Sequence, residues 1–266
     1  MTTIPAVVPP LPREKTYSRN LAPGVALAWL NAGWHDLRVT PSVSLFYGFG
    51  VFFASLIIVV GLFRLELDYI LFPALAGFMV IGPALAVGLY EKSRRLTAGE
   101  PVMFGEILFV QAKAGAQILF IGAILCLLML TWMRAAVIIY ALFFGLTPFP
   151  GLEHIAPMLF TTPLGWAMLI VGGAVGGLFA AFSFAISVFS IPMLLNEEVD
   201  AFTAMGTSMV LVWNNLAVML TWGAIVLVLF LLSLITGTLG MVLVFPLVGH
   251  ATWHAYKAIR QPVKEG

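Results

Sequence analysis

The feature that most constrains this chain is an uninterrupted apolar run, SLFYGFGVFFASLIIVVGLF from Ser44 to Phe63, with no charge inside it. In an aqueous fold such a run would need a core on every side. In a bilayer it is one crossing, because about 20 apolar residues in an α-helix match the hydrocarbon thickness and satisfy every backbone group internally. Further runs of this kind follow at about Tyr69–Tyr90, Ala114 into the 130s, Leu164–Ile191, Leu216–Ile235 and Leu239–Ala258. Of the 266 residues 61% are hydrophobic and 9% charged, so six spans with short connections leave no room for a separate soluble domain. The expected fold is an all-α polytopic membrane bundle of about six transmembrane helices plus two cytoplasmic amphipathic helices.

The apolar run after Ala114 continues to Phe144, longer than one span needs, and Trp132 and Arg134 interrupt it at interface depth. The third span is therefore expected to end near Trp132, with Ala135–Phe149 lying on or dipping into the outer face before the loop carrying Pro148, Pro150, Pro157 and Pro163. The chain divides as 1–42, a cytoplasmic segment with a disordered proline-rich start and an interfacial helix near Val25–Leu37; 43–258, the six-helix domain; and 259–266, a cytoplasmic tail. The first segment lacks the early apolar core of a cleaved signal and reads as retained.

Every Lys and Arg except Arg64 and Arg134 falls on the side of the termini. Basic residues resist translocation, so both termini are placed in the cytoplasm. A net charge of +1 leaves no field for a nucleic-acid partner. One cysteine, Cys126, excludes a disulfide framework, and no phosphate loop, HExxH, CxxCH or GxSxG occurs, which disfavours an enzyme.

Two polar stretches on the cytoplasmic side are helix-periodic. The first, after the second span, pairs Glu91 with Arg95 at i, i+4. The second runs through Val199, Phe202, Met205 and Met209. Each has Glu followed four residues later by Phe, at Glu100 and Glu198, so a duplicated unit of span, surface helix and span is one reading.

The segments GPALAVGLYEKSRRLTAGE (82–100), IPMLLNEEVDAFTAM (191–205), GHATWHAYKAI (249–259) and LAWLNAGWHDLRVTPSVSLFYG (27–48) resemble the bacterial family domain of unknown function 2189. The resemblance implies a bacterial inner-membrane protein, matched over nearly all of the chain after its proline-rich start, and brings no catalytic residues. Some members of that family carry a cytochrome c oxidase subunit I label. That catalytic subunit needs histidines enough for two haems and a copper, and this chain has only His35, His154, His250 and His254. The label therefore leaves only an accessory role beside an oxidase.

The candidate sites each carry two readings. His250 and His254, at i, i+4, can ligate a metal or haem with His35 as third ligand, or can form an interfacial belt with Trp253, Tyr256, Lys257 and Arg260. Glu197, Glu198 and Asp200 can collect a cation or protons, or can pair with Arg94 and Arg95 and cap the next helix. Arg134 is a membrane-depth charge, or it snorkels to the outer interface. Gly172 with Gly176, and Gly173 with Gly177, are small-xxx-small pairs for packing another helix of the bundle or a second subunit. Gly82-Pro83 and Phe245-Pro246 are kinks of the kind that mark transporter sites or occur in ordinary spans. The leading functional expectation is a non-catalytic accessory or assembly factor, with a respiratory complex as its membrane-protein partner. The runner-up is a transporter or channel for a small uncharged or hydrophobic solute, and the third is a haem or metal binder.

Overall fold

The computed structural model describes residues 17–145 and 149–260, and every regular element among them is helical. The readings made for the proline-rich start, Pro148 and the last six residues lie outside the described residues. The order is α1 (Val25–Arg38), α2 (Pro41–Arg64), a short 3-10 turn (Asp68–Ile70), α3 (Leu71–Leu85), α4 (Val87–Ala98), α5 (Phe104–Leu108), α6 (Gly115–Phe144), α7 (Leu152–Thr161), α8 (Pro163–Ser187), α9 (Ser190–Asn196), α10 (Ala201–Asn214), α11 (Leu216–Ile235) and α12 (Met241–Arg260). Five helical runs are long and apolar enough to cross a membrane: α2, α3 with α4, α6, α8 with α9, and α11. Their outward faces carry exposed apolar side chains such as Ile57, Leu119, Leu178 and Leu220, as expected where lipid is the solvent.

α12 has the length of a span but only half its composition. Met241–Val248 is apolar, whereas His250, His254, Lys257 and Arg260 occupy its second half. Among the helices of 20 or more residues it is the most enclosed, packed by α1, α2, α4 and α11. Glycines allow that closeness. A Cβ on Gly33 would lie 2.6 Å from the Ala251 nitrogen, and one on Gly249 would lie 2.7 Å from Leu89 Cδ1, so neither helix could approach α12 past a larger residue.

Three expectations are corrected. The helix after Ala114 does not stop at Trp132: α6 runs unbroken to Phe144, because residues 133–144 contain no Gly or Pro to unwind it, and it ends at Gly145 with φ 64°. At 1.5 Å per residue its 30 residues reach about 45 Å, longer than the roughly 30 Å hydrocarbon layer. The first amphipathic stretch is not a surface helix of its own: Glu91–Ala98 completes α4 beyond the Pro83 kink, and only the five-residue α5 lies apart. The belt reading of Trp253 and Tyr256 fails as well, since both side chains are buried.

Pro192 does break its helix, as its ring and missing N–H require. The break falls at Val188–Phe189, four residues before it, and the buried Ser208 of α10 staples it: Ser208 Oγ donates to the Ala185 carbonyl (2.7 Å) and accepts from the Phe189 N–H (3.2 Å). α10 is the second amphipathic helix, capped by Asp200, whose carboxylate accepts from the Thr203 N–H at 3.0 Å. The end of the bundle holding α1, α10 and the last turn of α12 is here called proximal, and the opposite end distal. Asn215 closes the proximal end, accepting from Arg19 N–H (2.9 Å) and donating to the Tyr17 carbonyl (2.8 Å).

Candidate functional site

Four helices meet at the proximal end around a cluster of polar side chains sealed from solvent. Lys92 on α4, Ser44 on α2 and His250 on α12 are each 0% exposed. A buried ammonium is tolerable only with partners. Lys92 Nζ donates to the Thr40 carbonyl (3.1 Å) and to Ser44 Oγ (2.7 Å). Ser44 Oγ lies 2.8 Å from His250 Nε2, and His250 Nδ1 lies 2.8 Å from Ser93 Oγ. Ser93 also hydrogen-bonds the buried Asp36 of α1, which takes a second hydrogen bond from His254 Nε2 at 2.8 Å.

An ammonium only donates and a carboxylate only accepts, so Lys92 gives to Ser44. One proton arrangement that satisfies the remaining contacts sends Ser44 O–H to His250 Nε2 and His250 Nδ1–H to Ser93. Burial acts to raise the Asp36 carboxyl, but the hydrogen bonds from His254 and Ser93 outweigh it and hold Asp36 below the ordinary carboxylate range. The chain begins beside the exposed Thr40 corner and ends at the partly exposed His254, both proximal, so it crosses no membrane. What it does is lock α1, α2, α4 and α12 together.

An ion-pair lattice surrounds the lock. Glu91 takes Arg94 and Arg95, each at 2.7 Å, and these reach Glu100 and Glu106. The expected pairing of Glu197, Glu198 and Asp200 with those two arginines is not what forms. Glu197 instead binds Arg260 through both oxygens, at 2.9 and 2.8 Å, and accepts from Tyr256 Oη at 2.7 Å. Glu198 is exposed, and Asp200 is spent on its helix cap. Arg94 and Arg95 sit on the α4 end with acids closer in sequence, which satisfies them first.

His35 is exposed and lies 3.7 Å from Asp36, the same carboxylate that takes His254, while both nitrogens of His250 are committed to Ser44 and Ser93. No group of three or more His, Cys, Asp or Glu stands together as metal ligands among the described residues. Arg134 is exposed on α6 and makes no ion pair among the described residues. Gly176 faces the Trp132 ring and Gly172 faces Ile139, both on α6, whereas a Cβ on Gly173 or Gly177 would meet nothing within 4 Å.

Among the cavities lined by described residues, two share no lining residue. The central one, about 140 Å³, lies between α3, α8, α11 and α12, where Gly82, Pro83, Tyr90, Trp222, Phe245 and Thr252 line it. The distal one, about 550 Å³, lies between α3, α6, α7 and α8. Gly82, Pro83 and Phe245 line the first, and α3 gives way to α4 just after Pro83, whereas α12 runs unbroken through Pro246; nothing in the sequence pointed to the second.

Residues 71–196 match the family described as predicted integral membrane protein, domain of unknown function 2189, so the resemblance read from the sequence holds over just under half of the chain. The quoted segments 27–48 and 249–259 lie outside that match. No curated protein and no solved structure matches the chain.

Proposed function

We propose that this multi-pass membrane protein binds and passes an uncharged, hydrophobic solute through the centre of its helix bundle. The supporting observation is the central cavity beside Gly82, Pro83 and Phe245, whose walls are almost wholly apolar and carry no charged side chain. An accessory factor acting only through its surfaces would need no such opening, and about 140 Å³ suits a solute smaller than the usual ligand of a protein pocket. Discontinuous or proline-bent helices around a mid-bundle site are the usual architecture of carriers.

In this reading the protein sits in the bacterial inner membrane with α12 as a sixth crossing, residues 1–42 and 259–266 in the cytoplasm, and the proximal end facing inward. The test uses the full chain purified in gentle detergent from its native membrane. Gly82→Leu places a side chain in the cavity without a clash, since a Cβ there meets nothing within 4 Å. Small molecules extracted from the wild type and absent from Gly82→Leu, detected by mass spectrometry, support the proposal. Stoichiometric respiratory subunits with no extracted solute return the accessory reading, and a haem band or bound metal returns the third.

A further inference from the structure

α10 turns its larger apolar side chains away from the protein. The residues it buries against α6, α8 and α9 are mostly small: Ala201, Ala204 and Ser208, with Leu211 and Val212. Its outward residues include the bulkier Phe202, Met209, Val210 and Trp213, with Phe202 69% and Trp213 76% exposed. The helix cannot roll to exchange these faces. Ser208 is tied to Ala185 and Phe189, and the Ala201 N–H donates to Gln117 Oε1 at 3.1 Å.

The outward side is itself divided. At about 3.6 residues per turn, Phe202, Met205, Met209, Val210 and Trp213 share one arc, and Thr203, Thr207 and Asn214 share the arc beside it. The apolar arc joins surface that the fold already gives to lipid. At its start Phe202 meets the exposed ring of Phe120 on α6, with 5.5 Å between centroids, next to the exposed Leu119. At its end Asn215 leads straight into α11 and its exposed Leu216 and Leu220. With 14 residues, about 21 Å of helix, α10 is too short to cross the hydrocarbon layer.

We propose that α10 lies in the plane of the proximal leaflet, with its apolar arc in the acyl chains and its Thr203, Thr207 and Asn214 edge at the water. The exposed Trp213 indole at the end of the helix suits that depth, where tryptophan is enriched. Ala201–Asn214 contains no Lys, Arg, Asp or Glu, so acyl-chain burial rather than head-group charge holds the helix there. Its partner is the hydrocarbon boundary of the bilayer, not an anionic head group. The surface is separate from the central cavity and stands whether or not a solute crosses there.

The test places single nitroxide labels on the full chain, in a Cys126→Ala background, reconstituted in phosphatidylcholine nanodiscs. Met209→Cys and Trp213→Cys report the apolar arc, and Thr207→Cys and Asn214→Cys report the polar edge. Collision with oxygen, which concentrates in hydrocarbon, is compared with collision with a water-soluble nickel chelate. The expected result is a reversal between the two arcs: oxygen dominates at positions 209 and 213, nickel dominates at 207 and 214, and added phosphatidylglycerol changes neither. Nickel dominating at every position would put the apolar arc in water and overturn the proposal. Exclusion of both reagents at 209 and 213, with spin–spin broadening when two labelled copies share a disc, would overturn it too, because a second copy of the chain would then stand where lipid is proposed. Oxygen reaching the apolar arc only when phosphatidylglycerol is present would overturn it in favour of head-group attraction.

Discussion

Gly176 on α8 lies directly under the indole of Trp132 on α6: a Cβ at position 176 would sit 2.8 Å from the ring carbon Cη2. The indole is held in place by its hydrogen bond to the Pro73 carbonyl, so it cannot swing away without losing a partner. One glycine thereby sets the spacing of three helices. Gly176→Leu should lower stability by about 1–3 kcal/mol through overpacking, while Gly173→Leu, which meets open space, should leave it unchanged. Thermal unfolding in a single detergent compares the two, and equal melting temperatures would remove the packing role of Gly176.

The sealed lock makes a sharper demand. Ser44→Ala leaves Lys92 Nζ with the Thr40 carbonyl alone and removes the partner of His250 Nε2, and should cost about 1–3 kcal/mol. Lys92→Met alone leaves the Asp36 carboxylate without its balancing ammonium, and Asp36→Asn alone does the converse. The double variant removes both charges together and is expected to cost less than the sum of the singles. Strict additivity in thermal unfolding would show that the two charges do not sense each other through the hydrogen-bonded chain.

Glu197 and Arg260 give a pH dependence. The Arg260 guanidinium, then the Tyr256 hydroxyl, hold the Glu197 carboxyl below its ordinary value of 4.5. A depressed carboxylate contributes stability that is present above the unfolded value and lost as pH falls through the folded one. The stability gap between wild type and Glu197→Gln should therefore be full at neutral pH and shrink as the pH drops below 4.5. A gap that stays constant from neutral pH to well below 4.5 would mean that the Glu197 carboxylate is not held down by this ion pair.

The membrane architecture was legible because the bilayer leaves the backbone so few options that apolar run length alone marks α2, α8 and α11. Local pairs were legible too: Glu91 and Arg95 meet because i, i+4 positions share a helix face. The lock was not, since Ser44 and His250 are 206 residues apart, and Ser93 and His250 are 157 apart. No spacing rule connects residues on different helices. For the same reason His250 and His254, correctly placed on one face, were given a shared partner, whereas a one-turn offset sends His250 to Ser44 and Ser93 and His254 to Asp36. The small-residue motif of α8 pointed to packing at Gly172–Gly177, but closer backbone approaches between helices occur at Gly48, where a Cβ would lie 2.0 Å from the Val242 carbonyl oxygen, and at Gly33, 2.6 Å from the Ala251 nitrogen, both outside that motif.

The remaining prediction concerns α12, whose polar second half keeps it from standing out as a span. If it crosses the membrane, the α11–α12 turn and the α9–α10 connection lie on opposite sides. Thr236 and Glu198 are exposed reporters of these two segments. In a Cys126→Ala background, Thr236→Cys should react with a membrane-impermeant maleimide applied to intact spheroplasts, and Glu198→Cys only after permeabilisation. Labelling of both from outside would place α10 and α11 differently from a cytoplasmic proximal end. Labelling of neither until permeabilisation would mean that α11 does not carry the chain across, and that the lock between α1, α2, α4 and α12 closes a re-entrant hairpin rather than a sixth crossing.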